Sequence, residues 1–391
     1  MSRIAGRFTG RPFLALVLIA LPAVALGAPA TASAAPAAAV ATGSAAADHA
    51  GLPTASVSLG DSYISGEAGR WKGNSASSSP DHLGTDRGIQ VYGDTVDNGC
   101  HRSDVAPIKS AWLITQKSIN LACSGAKTVN VLRASAGGQG YQGEAPQDDQ
   151  LATVAKSNDV KLIVLDIGGN DLGFGSIVSS CVVAYLSSST PCSETLPPTI
   201  EAGLPKVAAA VGATVDDVRA TMAAAGYGSG DYRLILESYP APLPDPGNTR
   251  YSGTAPDQRA SVGGCPFLDV DEAWAHSYLS PAMSQTLAGV AASHNVQFLD
   301  LLNAFRGHEL CAASDQQSTG HPTSSTSEWI RFIDLAGQGD ISESLHPNYF
   351  GQKALGQCLT LAVLTSQDVS CAGAAGLPSW AVHVTEAKQL R

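Results

Sequence analysis

The chain has 391 residues, of which 44% are hydrophobic and 15% charged, with 23 basic against 34 acidic side chains and a formal net charge of −11. That composition fills a sizeable core, and it contains no basic run, which argues against nucleic acid or an anionic membrane surface as partner.

The first 35 residues read as a secretory signal peptide. Arg3, Arg7 and Arg11 form its positive region, Phe13 to Leu26 its apolar stretch, and Ala32-Ser33-Ala34 its small-residue cleavage site. No Arg-Arg pair points to the twin-arginine route. The apolar stretch is too short for a stable membrane helix, and no later apolar run reaches ~18 residues, so no stable membrane anchor is expected. Residues 36–50 are Ala- and Pro-rich and read as a disordered lead-in. Removing the three leader arginines leaves 20 basic against 34 acidic side chains. Residues 51–391 then form one domain with insertions, expected to be an extracellular monomer.

Eight cysteines follow the leader: Cys100, Cys123, Cys181, Cys192, Cys265, Cys311, Cys358 and Cys371. An even count in an exported chain argues for four disulfides, with 105 connectivities open to sequence alone. No Cys-x-x-Cys pair is present and the spacings are wide, so no metal site is expected.

In chain order, strand-like runs occupy Ala55 to Leu59, Ile119 to Ala122, Val160 to Ile167, Tyr232 to Glu237 and Val296 to Leu299. The third is almost continuously apolar, as a parallel strand buried on both faces is. Helix-like stretches lie between and after them: Pro107 to Thr115, Asp148 to Lys156, Ile200 to Val211, Val215 to Ala224, Val270 to Ser293 and Tyr349 to Leu364. This alternation predicts an α/β fold with a mainly parallel sheet. Trp71 to Asn98, Ser176 to Pro198 and Tyr239 to Gly264 read as insertions, which build ligand-site walls or merely decorate the surface.

Four pieces carry chemistry. Val57-Ser58-Leu59-Gly60-Asp61-Ser62-Tyr63 is a strand that stops at a turn, exposing the Ser62 hydroxyl. A serine there is commonly just a helix cap. Gly-x-Ser-x-Gly is absent, since Ile64 replaces the last glycine, so the α/β-hydrolase elbow is not supported. Asn120 to Thr128 includes Gly125, whose N–H can approach an oxyanion, although any turn glycine looks the same. Gly168-Gly169-Asn170-Asp171 follows the most apolar strand, where the Asn170 amide faces the strand-end crevice or simply forms a turn. His346-Pro347 precedes the last helix-like stretch. Asp61 and Asp171 read as turn-stabilising neighbours. Gly138 to Gly143 fits Gly-x-Gly-x-x-Gly, but no strand leads into it, so a dinucleotide site is not expected. Ala126-Lys127-Thr128 lacks the glycines of a phosphate loop.

Taken together in this order, the four pieces resemble the blocks of the SGNH (GDSL-type) hydrolase family, and the wording is similar to that of secreted actinobacterial esterases and lipases. The resemblance covers about residues 55 to 366. It implies a three-layer α/β/α, flavodoxin-like fold. It also implies a carboxylic ester hydrolase without cofactor or metal. Ser62 would be the nucleophile and His346 the general base, with an oxyanion hole made by the Ser62 and Gly125 N–H groups and the Asn170 amide. Glu343 stands where the family often has Asp, three residues before the histidine. It is the expected third member, with a backbone carbonyl as the alternative and Asp340 as a weaker candidate. The resemblance further implies disulfides between successive cysteines: Cys100–Cys123, Cys181–Cys192, Cys265–Cys311 and Cys358–Cys371. The substrate would be a small-molecule or lipid ester. Two rival readings are an acyltransferase using the same site and a non-catalytic secreted binding module.

Overall fold

The computed structural model describes residues 49, 51–75, 86–253, 257–316, 321–335 and 341–387. The leader, the lead-in apart from His49, and Asp340 therefore lie outside the described residues.

One seven-stranded sheet organises the chain, in the order β2-β1-β3-β4-β5-β6-β7. Its strands are β1 (Thr54–Gly60), β2 (Lys117–Asn120), β3 (Asp159–Asp166), β4 (Arg233–Glu237), β5 (Gln297–Asn303), β6 (Val369–Ala372) and β7 (His383–Glu386). All neighbours are parallel except β6 and β7, which pair antiparallel at one edge. The 2-1-3-4-5 beginning is the flavodoxin-like order, which opens a crevice at the carboxyl ends of β1 and β3 where the strand order reverses.

The helices are α1 (Ser62–Ser65), α2 (Pro107–Ser110), α3 (Thr128–Val131), α4 (Gln147–Ser157), α5 (Gly169–Leu172), α6 (Phe174–Ser187), α7 (Cys192–Thr195), α8 (Pro197–Ala224), α9 (Asp269–Trp274), α10 (Ser280–His294) and α11 (Tyr349–Ala362). They form two outer layers because β3 is apolar on both faces. Ile163 and Leu165 pack with Leu151 of α4, Val211 of α8 and Leu287 of α10. Leu162 and Val164 belong to the opposite core, with Ile108 of α2 and Leu355 and Leu359 of α11. The three-layer α/β/α reading of the sequence therefore holds.

Several boundaries differ from the sequence reading. The two expected helices around residues 200–224 are one 28-residue helix, α8. Gly212 does not break it. A Cβ there would lie 2.7 Å from His294 Nε2, so the glycine serves close packing against α10 rather than a turn. The expected helix from Pro107 ends at Ser110, because Ala111 turns extended. Ser176 to Pro198, read as an insertion, is mostly helical, in α6 and α7. The stretch from Val270 to Ser293 is two α-helices joined by a π-helical turn at Ala275–Leu279. Strands β6 and β7 were not foreseen.

Four disulfides join Cys100–Cys123, Cys181–Cys192, Cys265–Cys311 and Cys358–Cys371, matching the expected successive pairing. Two close short loops. Cys100–Cys123 holds the loop after β2, and Cys265–Cys311 ties the segment after β4 to the segment after β5.

Candidate active site

The site sits where β1 and β3 end. Gly60 has φ +141, and a Cβ on it would lie 1.9 Å from the Asp166 carbonyl, so only glycine fits between the two strand ends. Asp61 then caps α1: its Oδ1 accepts from the Tyr63 N–H at 3.1 Å. This cap fixes Ser62 as the first helical residue, facing the crevice. Gln147, the first residue of α4, accepts from the Gly60 N–H (2.7 Å) and donates to the Gly60 carbonyl (2.8 Å). It thus secures the turn from 87 residues away.

His346 reaches Ser62 from the far end of the sequence. Its Nε2 lies 2.7 Å from Ser62 Oγ, and its Nδ1 lies 2.9 Å from the Ser344 carbonyl oxygen. A carbonyl only accepts, so Nδ1 carries the proton and Nε2 presents its lone pair to the serine hydroxyl. The chain reaches this arrangement through Leu345, which adopts φ +59. That conformation is held on both sides. Tyr63 OH donates to the Leu345 carbonyl at 2.7 Å, and the Leu345 N–H donates to the Arg331 carbonyl at 3.0 Å. Burial pushes the pKa of His346 down, partly opposed by the Glu67 charge and by the Ser344 carbonyl.

Glu343 is not on the imidazole, in contrast to its expected place as third member. Its carboxylate accepts from Trp71 Nε1 (2.7 Å) and Tyr92 OH (2.7 Å) and pairs with Arg70 Nε at 3.0 Å. The segment from Trp71 to Asn98 supplies two of these donors and captures the acid. The backbone carbonyl of Glu343 accepts the backbone N–H of His346 at 3.2 Å.

Gly125 and Asn170 come to the same place. Gly125 has φ +84, and a Cβ would lie 2.6 Å from Tyr141 OH. The Cys100–Cys123 bond and the Ser124 N–H donating to the Cys100 carbonyl (3.1 Å) hold its loop. Asn170 Nδ2 donates to the Ala126 carbonyl at 3.0 Å. Asp171 accepts from the Thr128 N–H (3.0 Å) and hydroxyl (2.5 Å). The Asn170 and Asp171 side chains thus clamp the Gly125 loop to the end of β3. Among the described residues, the N–H groups of Ser62 and Gly125 have no acceptor, which leaves both free to point at a reacting oxygen.

Sequence reasoning missed Tyr239. Its hydroxyl donates to Asp61 Oδ2 at 2.6 Å and accepts from the Gly169 N–H at 3.0 Å. It joins the cap of the Ser62 turn to the Asn170 turn. Its place just after β4, at a strand carboxyl end, was the available signal. Beneath it lie the buried carboxyls Asp61, Asp166 and Glu237. Burial raises all three, Asp61 to about 7, Glu237 to about 8 and Asp166 well above its ordinary value.

Two recesses meet at Ser62. An inner one of about 100 Å³ is lined chiefly by apolar side chains such as Leu172, Phe174, Ile177, Phe267 and Met283. An outer groove of about 440 Å³ runs past Gly125, Ser179, Ser342 and His346. The compact metal-binding-like cluster among the described residues is Cys181, Cys192 and Asp271, whose two sulfurs are bonded to each other.

A sequence profile of the GDSL-like Lipase/Acylhydrolase family matches residues 58–354. Lipase 1 of Streptomyces coelicolor (strain ATCC BAA-471 / A3(2) / M145) is 26% identical over 313 residues, 79% of this chain and 87% of that protein. The crystal structure of phospholipase A1 from Streptomyces albidoflavus NA297 superposes with a TM-score of 0.50 at 20% identity, covering 80% of this chain and 100% of that one. An extracellular lipase from Streptomyces rimosus covers 80% of this chain and 100% of its own, at 22% identity and a TM-score of 0.47. The profile match takes in the Ser62, Gly125, Asn170 and His346 segments, and on it the chain belongs to the GDSL-like lipase/acylhydrolase family and is a carboxylic ester hydrolase of the SGNH type.

Proposed function

We propose that the chain is a secreted serine esterase or lipase acting through an acyl-enzyme on Ser62, with His346 as general base. The carrying observation is the 2.7 Å contact between Ser62 Oγ and His346 Nε2, with Nδ1 committed to the Ser344 carbonyl. Ser62 Oγ attacks the ester carbonyl carbon and passes its proton to Nε2. The oxyanion lies among the Ser62 N–H, the Gly125 N–H and the second N–H of the Asn170 amide. As the ester C–O bond breaks, the imidazolium returns the proton to the departing alcohol. Water then repeats the sequence and frees the acid. The imidazolium is stabilised by a carbonyl dipole rather than by a carboxylate. Burial keeps the resting ring neutral, which suits a base.

Export is supported by the leader-like first 35 residues and by four disulfides. No described helix is long and apolar enough to cross a membrane. Expression with the native leader tests export: the mature protein recovered from the medium should start shortly after Ala34 and contain no free thiol. Retention in the cell with an intact leader would overturn this part. Turnover of aryl esters by the wild type but not by Ser62→Ala tests the chemistry.

A further inference from the structure

Two side chains that line the inner recess, Asp271 and Trp274, carry polar atoms that nothing among the described residues engages. Asp271 Oδ1 accepts from the Ser193 N–H at 2.9 Å, which ties α9 to α7. Its Oδ2 is shielded from solvent without a hydrogen-bond partner, in a residue only 1% exposed. The Trp274 indole Nε1 is likewise shielded and donates to nothing. Buried polar atoms are ordinarily paired, because each has lost its water. The surroundings do not supply the missing partners. The Cys181 and Cys192 sulfurs lie within 4.8 Å of an Asp271 carboxylate oxygen, but they are bonded to each other and have no proton to give. No lysine, arginine or histidine lines the recess. The other carboxylate on its wall, Asp61, is already engaged by the Tyr63 N–H and the Tyr239 hydroxyl.

Asp271 and Trp274 stand three residues apart on α9, so their side chains are neighbours on one face of that helix. One offers an acceptor and the other a donor. We infer that this pair recognises a hydroxyl group on the part of the ester that enters the inner recess. A hydroxyl has a proton for Asp271 Oδ2 and lone pairs for the Trp274 indole N–H, so a single oxygen satisfies both. An ammonium group would pair with the carboxylate but leave the indole N–H without an acceptor. A ketone or ether oxygen would do the reverse. An unsubstituted hydrocarbon would leave both unpaired. The inference rests on the esterase reading and deepens it. The substrate class is an ester with a hydroxyl group away from its scissile bond. Asp271 and Trp274 set specificity by touching that hydroxyl and take no part in the bond changes at Ser62.

The test is a substrate panel on the mature protein, with hydrolysis followed by acid release at fixed pH. One series compares methyl octanoate with its monohydroxylated isomers. The other compares octyl acetate with the monoacetates of octanediols, so a hydroxyl on either side of the ester bond is sampled. Each series includes the amino-substituted counterparts. A hydroxyl ordinarily weakens entry into a largely apolar recess, because its hydration is lost. Here one hydroxyl position should raise kcat/KM by about tenfold or more over the parent ester, as expected where the parent leaves buried polar groups unpaired. Asp271→Asn keeps the acceptor for the Ser193 N–H and turns the open acceptor into a donor. Trp274→Phe keeps a ring and removes the N–H. Each should bring the ratio of hydroxylated to parent kcat/KM close to one, and a ratio within one protein does not move with its overall activity. No hydroxyl preference in the wild type would overturn the inference and leave the pair to an ordered water. So would a preference that persists in both folded variants, or a preference for the amino-substituted ester. If Asp271→Asn does not fold, the wild-type panel and Trp274→Phe decide. No turnover of any ester would overturn the esterase reading itself, a result distinct from turnover without hydroxyl preference.

Discussion

Replacing Glu343 by Gln separates a carbonyl-oriented histidine from a carboxylate-oriented one. The substitution keeps size and removes charge. In the structure the carboxylate serves Arg70, Trp71 and Tyr92, and His346 Nδ1 bonds the Ser344 carbonyl instead. The cost should therefore appear in stability. Arg70 loses the closer of its two ionic partners, Asp86 remaining at 3.9 Å, in a site where its side chain is 13% exposed and that of Glu343 is 3% exposed. A charged hydrogen bond weakened in such a place costs roughly 1–3 kcal/mol. At roughly 2–4 °C per kcal/mol for domains of 150–250 residues, and less for a longer chain, the melting temperature should fall by a few degrees. The imidazole tautomer is set by a backbone carbonyl that the substitution leaves in place, so kcat/KM should drop less than about tenfold, under ~1.4 kcal/mol of barrier. A triad carboxylate changed to its amide costs about 10⁴ in kcat. The assay is kcat/KM on an aryl ester beside a thermal melt. A fall of 10³ or more with the melt unchanged would refute the reasoning, because it would place the charge of Glu343 on His346.

Further outcomes follow from the same geometry. The acid limb of kcat/KM should have its midpoint below the ~6.5 of an ordinary histidine, because burial lowers the pKa of His346 and only the neutral ring accepts the serine proton. A midpoint near 7 that moves in Asp61→Asn would mean the limb reports Asp61, which burial raises to about 7. Asn170→Gly keeps the turn and removes the proposed oxyanion donor, so kcat should fall by ~10²-fold or more while KM changes little. Full activity would make Asn170 structural only. Tyr239→Phe keeps the ring that packs edge-on against Tyr63 at 5.3 Å but cuts the Asp61–Gly169 link. It should lower kcat more than it raises KM, and its effect should not add to that of Asn170→Gly. Full additivity would deny that Tyr239 acts through the Asn170 turn.

The sequence made the frame legible because its signals are local. Val57 to Gly60 and Val160 to Asp166 are apolar strands that end in glycine turns, and parallel sheets put ligands at such ends. His346 was legible from the Pro347-Asn348 stop before α11, where the Asn348 side chain caps the helix by accepting from the Phe350 N–H. What was not legible depends on partners far away in the chain. Gln147 holds Gly60 across 87 residues, and Tyr239 holds Asp61 across 178. The fate of Glu343 was decided by Trp71 and Tyr92, in a segment read as an insertion of unassigned purpose. The positive φ of Leu345 has no local signature, since nothing but tertiary hydrogen bonding holds a leucine there. The gap expected between Val211 and Val215 is continuous helix, in which Gly212 serves the contact with His294 of α10.

The central claim is that Ser62 is a nucleophile activated by a neutral His346. Its most direct measurement is covalent labelling by a dye-linked alkyl fluorophosphonate, which forms a P–O bond to the serine and releases fluoride, followed by peptide mapping and by the pH dependence of the labelling rate. The account predicts one adduct per chain, on Ser62, absent in Ser62→Ala. His346→Ala should form it at least 10²-fold more slowly, and the rate should climb to a plateau with a midpoint below pH ~6.5. Labelling at another serine, or equal rates with and without His346, would contradict it.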